Sequence, residues 1–421
     1  MFTFLHAADI HLDSPLRGLS RYESAPVETI RNACRKAFEN LVDLAIAEKV
    51  AFVLLAGDLY DGDWKDYSTG IFLGKQMGRL DRHGIAVFVV AGNHDAANRM
   101  TKALDSPANM QMLSSRKVQT IHLNELDVVI HGQSFARQHV DENLAVGFPP
   151  AEKDMFTIGL LHTSLDGRAG HASYAPCSLG DLHSKGYQYW ALGHVHKREF
   201  VSKDPWVVFP GCIQGRHVRE TGGKGCVLVT VEDGEVRTVE EYELDVLRWN
   251  ICRVDVSDVS TMQKLRERTR MAIEKQRLLA GDLPLAMRIC FQGATTLFDE
   301  LTAYPDRFED EVRIVAAEIA GDDLWVERVD NAMSGKRDLD QVLAGDDAFA
   351  QLLKEIIVVP DDPDEIIGLE TVVADLKKKI PSELVGFGSI VDLEDKGVLE
   401  RLVQEAKDML LSRMLAVGGK E

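Results

Sequence analysis

Five short clusters of metal-ligating side chains follow five apolar segments of the chain, and this pattern limits the fold more than any other feature. The apolar segments are Phe2–Ala8, Phe52–Ala56, Val87–Ala91, Thr157–Leu161 and Tyr189–Leu192. The clusters that follow them are Asp9-Ile10-His11, Gly57-Asp58, Gly92-Asn93-His94-Asp95, His162 and Gly193-His194-Val195-His196. Short apolar runs of this kind are typical of strands buried on both faces. Because sites in layered α/β folds lie beyond the carboxyl ends of strands, the clusters predict one common site.

The ligand types in these clusters favour a pair of metal ions. Oxygen ligands from Asp and Asn alternate with imidazoles, and this mixture suits Mn²⁺, Fe or Zn²⁺ better than Ca²⁺ or a thiolate-preferring ion. Seven ligands are too many for one tetrahedral site, but they suit two metals that share a bridging carboxylate. Two metals about 3.5–4 Å apart are a recurring device for hydrolysing phosphate esters. The sequence therefore predicts a dinuclear-metal phosphoesterase.

Each cluster taken alone also has an explanation that involves no metal. The two-residue step from Asp9 to His11 lets both side chains chelate one ion, but an Asp can equally cap a loop beside a packed His. A lone histidine after a buried strand, such as His162, is more often structural. The step from His194 to His196 puts two imidazoles on one side of a loop, where each can serve a different metal. The order of the clusters, each after a strand, is what favours the metal site.

The cluster around Asn93 also predicts a catalytic group. Asn93 supplies a neutral oxygen to a metal, whereas His94 cannot easily reach the same ion and is expected to face the substrate. There His94 can stabilise the transition-state phosphate or protonate the leaving oxygen. Asp95 is predicted to orient His94, as carboxylates do for imidazoles. The alternative is an ordinary turn rich in Asn and Gly.

The carboxylates after the second apolar run include the predicted bridge. Asp58 follows Gly57, which lets the backbone approach closely, and its carboxylate can bridge two cations. A common Gly-Asp β-turn is the alternative. Asp61 and Asp63 are interpreted as loop carboxylates, although one of them can support a ligand from outside the metal site.

The pattern along the first 248 residues predicts two packed sheets flanked by helices. Helical stretches at Val27–Lys49 and Tyr67–Arg82 alternate with the apolar runs. The segment from Trp206 to Leu247 is typical of a β-meander, because short strands alternate with Gly-containing turns. Residues 1–248 are therefore predicted to form one domain.

Two further units are predicted after residue 248. Alternating strands and helices over residues 249–332 indicate a small α/β domain that ends in a polar linker at Asn331–Asp340. Residues 333–421 are predicted to be linker and helices. The last helix, Val398–Met414, carries an apolar stripe that must be buried, either against the helix Glu365–Lys379 or against another protein.

Composition restricts the compartment and the partners. The six cysteines are scattered, which indicates free thiols in a reducing compartment rather than a disulfide framework. The amino terminus lacks a signal-peptide pattern, and no run of 18 apolar residues predicts a membrane span; a cytoplasmic location follows. The net charge of −19 argues against a free-standing nucleic-acid binder. The acidic excess is larger after residue 245, so the C-terminal part is not expected to grip DNA.

Three segments resemble a known family. The segments His6–Pro15, Tyr189–His196 and Pro210–His217, the last followed by Glu220 and Lys224-Gly225, are similar to bacterial DNA-repair exonucleases of the SbcD/YhaO type. These enzymes belong to the calcineurin-like metallophosphoesterases, and the resemblance covers about residues 1–245. It implies a two-sheet αββα metallophosphoesterase sandwich, a small α/β capping domain and a helical C-terminal region. The resemblance of the C-terminal region lies in the order of the domains, and no sharp sequence motif accompanies it.

The resemblance also implies a role for each residue of the site. Asp9, His11 and His196 would bind one metal; Asn93, His162 and His194 would bind the other; Asp58 would bridge them, and His94 would be the catalytic imidazole. Arg216 and His217 would contact the phosphate backbone or merely pack in their loop. The reaction implied is metal-assisted hydrolysis without a covalent enzyme intermediate, and Mn²⁺ is the favoured ion.

Three functions remain open from the sequence. The first is a metal-dependent DNA exonuclease or endonuclease in DNA repair that works with an SbcC-like ATPase bound by the C-terminal helices, with a homodimer implied by related nucleases. The second is a phosphodiesterase or phosphatase for a small molecule or a phosphoprotein, since one fold serves many substrates. The third is a binding scaffold with a relic site. The extra C-terminal residues favour the first, and the complete ligand set argues against the third.

Overall fold

The computed structural model describes residues 1–14, 27–61, 68–97, 107–166, 174–335, 348–360, 362–379 and 396–418. Asp63 and the second half of the predicted linker, residues 336–340, lie outside these ranges. The described chain divides into two compact units. The first comprises residues 1–251, 280–287 and 323–327, and the second comprises residues 252–279, 288–322 and 328–421. The predicted domain boundaries at 248 and 332 stay predictions.

The secondary-structure elements carry the following bounds. The strands are β1 (Phe2–Ala7), β2 (Phe52–Ala56), β3 (Ala86–Val90), β4 (Met110–Met112), β5 (Gln119–Leu123), β6 (Val128–Gln133), β7 (Phe156–His162), β8 (Tyr189–Gly193), β9 (Glu199–Lys203), β10 (Trp206–Phe209), β11 (Gly225–Glu232), β12 (Glu235–Glu243), β13 (Arg248–Asp255), β14 (Leu285–Thr295) and β15 (Leu324–Gly335). The helices are α1 (Val27–Ala47), α2 (Ser68–Asp81), α3 (Asn93–Ala97), α4 (Leu179–His183), α5 (Met262–Ala280), α6 (Phe298–Ala303), α7 (Pro305–Ala320), α8 (Ala348–Val358), α9 (Leu369–Lys379) and α10 (Lys396–Gly418).

Two six-stranded mixed sheets form the first unit. One sheet has the order β12-β11-β1-β2-β3-β4, in which β1 to β4 run parallel and β11 and β12 run antiparallel. The other has the order β5-β6-β7-β8-β10-β9, in which β6, β7, β8 and β10 run parallel. The five strands predicted to precede the metal clusters are confirmed as β1, β2, β3, β7 and β8. All five are parallel, so their carboxyl ends lie on the same edges of the two sheets.

The two sheets pack face to face, and helices cover their outer faces. One apolar core joins the facing surfaces, with Phe4 and Phe52 from the first sheet and Ile158 and Tyr189 from the second. A second core lies between the first sheet and helices α1 and α2, and a third lies on the outer face of the second sheet. The apolar runs are continuous because each strand touches apolar neighbours on both faces. The predicted αββα sandwich is confirmed.

The predicted meander from Trp206 to Leu247 is only partly correct. Strands β11 and β12 form the expected antiparallel hairpin at the edge of the first sheet. Strand β10 instead pairs in parallel with β8 in the second sheet, where Trp206 lies opposite Tyr189. The short turn-rich segments do not reveal which sheet each strand joins, because that choice depends on distant neighbours.

Strands and helices after residue 248 follow the predicted order, but the predicted linker is wrong for residues 331–335. Strands β13, β14 and β15 form a three-stranded sheet, and β15 continues through Gly335. The polar residues that suggested a linker belong to this strand. Within the second unit, the rings of Phe291 and Phe308 lie 4.8 Å apart between centroids.

Helix α10 buries Leu411 against α8, but the predicted apolar stripe is largely wrong, because its members Ala406, Met409 and Leu410 are exposed. Leu353 and Ile356 of α8 form a small core with Leu411, and Met414 packs against it. Among the residues that the structure describes, α10 lies mainly against α6 and α8 rather than against the predicted partner, the helix Glu365–Lys379. No helix in the described ranges combines the length and apolarity needed to cross a membrane. All six cysteines are free thiols.

Candidate metal centre

The predicted ligands converge at the carboxyl ends of five parallel strands. Asp9 and His11 follow β1, Asp58 follows β2, and Asn93 begins α3 just after β3. His162 is the last residue of β7, and the loop after β8 supplies the remaining two histidines, His194 and His196. Side chains from both sheets therefore share one buried site, because the strand ends meet at the same end of the sandwich.

One group of ligand atoms gathers around His11 and His196. The Nε2 atoms of these two rings lie 3.2 Å apart, and Nε2 of His196 lies 3.9 Å from Asp9 Oδ1. The ligand atoms of all three residues fall within 4.8 Å of one another. Two imidazole nitrogens this close, each with an available lone pair, suit adjacent positions on one cation.

A second group gathers around His162. Its Nε2 lies 3.1 Å from Asn93 Oδ1 and 3.5 Å from Asp58 Oδ2. Its Nδ1 lies 2.9 Å from the carbonyl oxygen of Ala56 and can donate to it, which leaves the Nε2 lone pair for a metal. The same Asp58 Oδ2 lies 4.0 Å from His11 Nε2 in the first group. Asp58 thus lies between the two groups, where a bridging carboxylate belongs.

His194 joins the site through its backbone as well as its ring. Its N–H donates to both carboxylate oxygens of Asp9, at 3.1 and 3.0 Å. Its ring centroid lies 5.2 Å from that of His162. The backbone contact fixes the orientation of Asp9, and the ring lies beside the second group.

The buried groups fit cations of high charge. Burial raises the pKa of Asp9 well above its usual value, and the neighbouring charge of Asp58 raises it further. Burial likewise raises the pKa of Asp58 and lowers that of His11. The Nδ1 atom of His11 makes no hydrogen bond within the described part of the chain. Adjacent buried carboxylates beside neutral imidazoles are costly unless a cation compensates them, as metal ions do.

The backbone at the ligands adopts an uncommon conformation. Asp9, His11, Asp58 and His194 have φ values of 51°, 48°, 51° and 104°. Non-glycine residues rarely occupy this region, and such residues cluster at functional sites. The chain therefore holds these four side chains in orientations that ordinary strand ends would not give.

Two glycines allow this close packing. A Cβ atom at Gly92 would lie 2.3 Å from Asp58 Oδ1, and one at Gly57, whose φ is +94°, would lie 2.3 Å from His162 Nδ1. Any side chain at either position would displace a predicted ligand. The Gly-Asp and Gly-Asn steps of the sequence are thus explained by the approach of backbone to ligand.

The predicted partner of His94 is wrong, because Asp61 and not Asp95 holds its ring. Asp61 Oδ1 lies 2.7 Å from His94 Nδ1. Asp95 is buried and accepts hydrogen bonds from the backbone N–H groups of Leu59, Tyr60 and Gly92. Burial lowers the pKa of His94, but the hydrogen bond to Asp61 and the charge of Asp58 outweigh this and raise it. Asp95 therefore shapes the loops, and Asp61 orients the imidazole.

Glu220 supports the other side of the site, and its role was not predicted from the sequence. Its Oε1 lies 2.6 Å from Nδ1 of His196, and a proton on Nδ1 gives the Nε2 of that ring a lone pair suited to a metal. Burial acts to raise the pKa of Glu220, but the hydrogen bond to His196 and the charge of Arg216 together lower it. A single Glu in a Gly-rich loop carries no local signal for this role.

Fold and site together define a metal-dependent phosphoesterase, and the comparisons with known proteins agree. The model for calcineurin-like phosphoesterases matches residues 2–198, and the model for the middle domain of metallophosphoesterase YhaO matches residues 249–334. The uncharacterised metallophosphoesterase YhaO of Bacillus subtilis (strain 168) is 33% identical over 382 residues, which is 87% of this chain and 90% of the relative. The chain belongs to the YhaO family of calcineurin-like metallophosphoesterases.

More distant similarities extend to a repair protein and a phosphatase. The DNA double-strand break repair protein Mre11 of Sulfurisphaera tokodaii is 26% identical over 287 residues, covering 65% of this chain and 70% of that protein. A solved dimetal phosphatase from Danio rerio aligns with 57% of this chain and 97% of its own, with 12% identity and a TM-score of 0.34.

Proposed function

We propose that this phosphoesterase is a two-metal nuclease that hydrolyses phosphodiester bonds in DNA. The proposal of two metals rests on the position of Asp58, which lies between the ligand groups around His11 and His162. A carboxylate shared by two cations is the arrangement used to clamp a phosphoryl group between two metals. The similarity to Mre11, over about two thirds of the chain, supports DNA as the substrate.

The proposed ligand assignment follows the two groups. Asp9, His11 and His196 would hold one metal, Asn93, His162 and His194 would hold the other, and Asp58 would serve both. The mixture of carboxylate, amide and imidazole ligands suits Mn²⁺, our proposed ion. When bound, the metals would supply an acidified water nucleophile and neutralise charge on the phosphoryl oxygens.

His94 supplies the protein's own contribution to the reaction. Because Asp61 holds its Nδ1, its Nε2 is the nitrogen available to a phosphate oxygen or to the leaving oxygen. The side chain of His94 is 38% exposed, more than that of His196 at 21%. A partly exposed, oriented imidazole beside buried ligands can stabilise the transition state or protonate the leaving group.

The first test compares three substrates with the full chain and Mn²⁺. We expect cleavage of a labelled DNA duplex or single strand at a rate well above that of bis(p-nitrophenyl) phosphate, and loss of all activity with a chelator. The His94→Ala chain, prepared in parallel, controls for a contaminating nuclease. Hydrolysis of the simple diester without any cleavage of DNA would favour the alternative function, a phosphodiesterase for a small molecule or phosphoprotein.

We also propose that the C-terminal helices bind an SbcC-like ATPase. Helices α8 and α10 bury one side against each other but leave large apolar side chains in solvent. Val358 of α8 is 77% exposed and Leu410 of α10 is 48% exposed. A contiguous patch of exposed apolar side chains on helices can form a protein interface, in which a helix docks in a groove. A homodimer of the phosphoesterase domain is a further proposal taken from related nucleases.

Point variants test the ATPase proposal without unfolding the region. Deleting the chain from about residue 361 would remove α10 and uncover Leu353 and Ile356 of α8. We therefore expect the double variant Val358→Glu, Leu410→Glu to lose the ATPase in a pull-down while it keeps diester hydrolysis. Leu278→Glu, on α5 and 83% exposed, is the matched control and should still capture the ATPase. Equal capture by all three chains would refute this interface.

A further inference from the structure

Arg216 is buried beside the candidate metal centre and contacts two carboxylates. Its side chain is 12% exposed. Nη1 lies 3.3 Å from Asp61 Oδ2, and Nη2 lies 3.4 Å from Glu220 Oε1. Both ends of the guanidinium fork are therefore committed to protein groups. This arrangement leaves little of the side chain for direct contact with a substrate phosphate.

Each of these carboxylates holds one histidine of the site. Asp61 Oδ1 lies 2.7 Å from Nδ1 of His94, the proposed catalytic imidazole. Glu220 Oε1 lies 2.6 Å from Nδ1 of His196, a proposed metal ligand. One continuous series of contacts therefore runs from His94 to His196, with Arg216 at its centre.

The loop that carries Arg216 is fixed on several sides. The Arg216 N–H donates to Glu220 Oε2 at 2.7 Å. The indole N–H of Trp249 donates to the carbonyl oxygen of Gly215 at 3.0 Å, and the Gln214 amide donates to that of Leu247 at 2.7 Å. Ser14 donates to Asp61 Oδ2 at 2.6 Å. These bonds give the guanidinium a defined position from which to hold both carboxylates.

We propose that Arg216 is a positioning residue that fixes His94 and His196 relative to each other through Asp61 and Glu220. A planar guanidinium can pair with two carboxylates at once, whereas an ammonium acts as a point charge. Removing a buried cation breaks the contacts that hold its carboxylate partners in place. Movement of these carboxylates would disturb the two rings that they hold. The inference rests on the proposed roles of His94 and His196.

The test compares Arg216→Met and Arg216→Lys with a matched control, Arg248→Met. Arg248 is 15% exposed and pairs with the buried carboxylate of Asp245 at 3.0 Å. It also pairs with Glu243, and neither carboxylate belongs to the site. The full chain is titrated with Mn²⁺ alone by calorimetry. Its kcat and KM for bis(p-nitrophenyl) phosphate are then measured at saturating Mn²⁺, together with the Tm of the metal-free chain.

Arg216→Met is expected to weaken Mn²⁺ binding at one site roughly 10-fold or more, in the range seen when the partners of metal ligands are lost. We expect kcat to fall by about 10–100-fold with little change in KM, because the substrate itself is not contacted. The Mn²⁺ affinity and the kcat of Arg216→Lys should lie between those of the wild type and those of Arg216→Met. Arg248→Met should lower the Tm and leave the metal affinity and kcat unchanged.

Three results would overturn the positioning role. Wild-type Mn²⁺ affinity and kcat in Arg216→Met would reduce Arg216 to loop packing. A rise in KM alone would make it a substrate contact. If Arg216→Met does not fold, Arg216→Lys provides the test. Wild-type Mn²⁺ affinity and kcat in that variant would show that the guanidinium fork is not needed. A wild-type chain that neither binds Mn²⁺ nor hydrolyses the diester would refute the proposed function instead.

Discussion

Asp58→Ala is expected to lose both metals and nearly all hydrolysis. The carboxylate lies between the two ligand groups, 3.5 Å from His162 Nε2 and 4.0 Å from His11 Nε2, so its removal takes one ligand from each group. Two-metal centres supply several kcal/mol of transition-state stabilisation, and each 1.4 kcal/mol is tenfold in rate, so we expect a loss of roughly 10³-fold or more. Metal analysis of the purified chain and diester hydrolysis at saturating Mn²⁺ measure the two effects.

A matched variant separates the loss of charge from the loss of a structural hydrogen bond. Asp58 Oδ1 also accepts the backbone N–H of His94 at 2.9 Å, and Asp58→Asn keeps an acceptor there while it removes the charge. We expect Asp58→Asn to bind metal almost as poorly as Asp58→Ala. Manganese should raise the Tm of the wild type but not of either variant, because only a bound ligand stabilises the fold. Two ions retained per chain of Asp58→Ala would refute the bridge.

His94→Ala is expected to keep both metals and DNA binding but to hydrolyse DNA far more slowly. Loss of one preorganised contact to the transition state costs about 3–4 kcal/mol, or roughly 10²–10³ in rate. Asp61→Asn weakens the hydrogen bond to the His94 ring without removing it. We therefore expect a smaller loss of cleavage rate in this variant. Metal content, DNA affinity and single-turnover cleavage rates give the three quantities to compare.

The structure also defines the competing outcome for His94. A nitrogen of His94 lies within 4.8 Å of ligand atoms of His11 and Asp58, so the imidazole is close enough to serve as a ligand itself. Loss of a metal from the His94→Ala variant would identify His94 as a metal ligand. Full turnover at saturating Mn²⁺ would remove it from catalysis altogether. Only slow cleavage with both metals in place fits the catalytic assignment.

Local sequence patterns were enough to predict the strands and to bring the candidate ligands that follow them into one place. The apolar runs before Asp9, Asp58 and His162 are buried on both faces. The sequence therefore shows continuous apolar residues there instead of an alternation of apolar and polar residues. Because parallel strands end at the same edge, the position of each cluster was enough to bring the predicted ligands together. The αββα sandwich was predictable for the same reason.

Contacts set by long-range packing were not predictable in this way. Asp95 was assigned to His94 because it is the next residue, but α3 turns Asp95 towards the backbone of Leu59 and Tyr60. The true partner, Asp61, comes from the loop after β2. Glu220 and Arg216 reach the site because Trp249 and Gln214 fix their loop. None of these contacts can be inferred from the residues that are adjacent in the sequence.

The two halves of the centre come from opposite ends of the phosphoesterase sequence. Asp9 and His194 are hydrogen-bonded although they are 185 positions apart. Contacts of such high sequence separation form late, after the cost of closing the intervening chain has been met. A nascent or proteolysed chain that ends before β7 holds Asp9, Asp58 and Asn93 but lacks the imidazoles of the second sheet. On the proposed ligand assignment, hydrolysis requires the complete sandwich, and a fragment released during synthesis or degradation would carry no working centre.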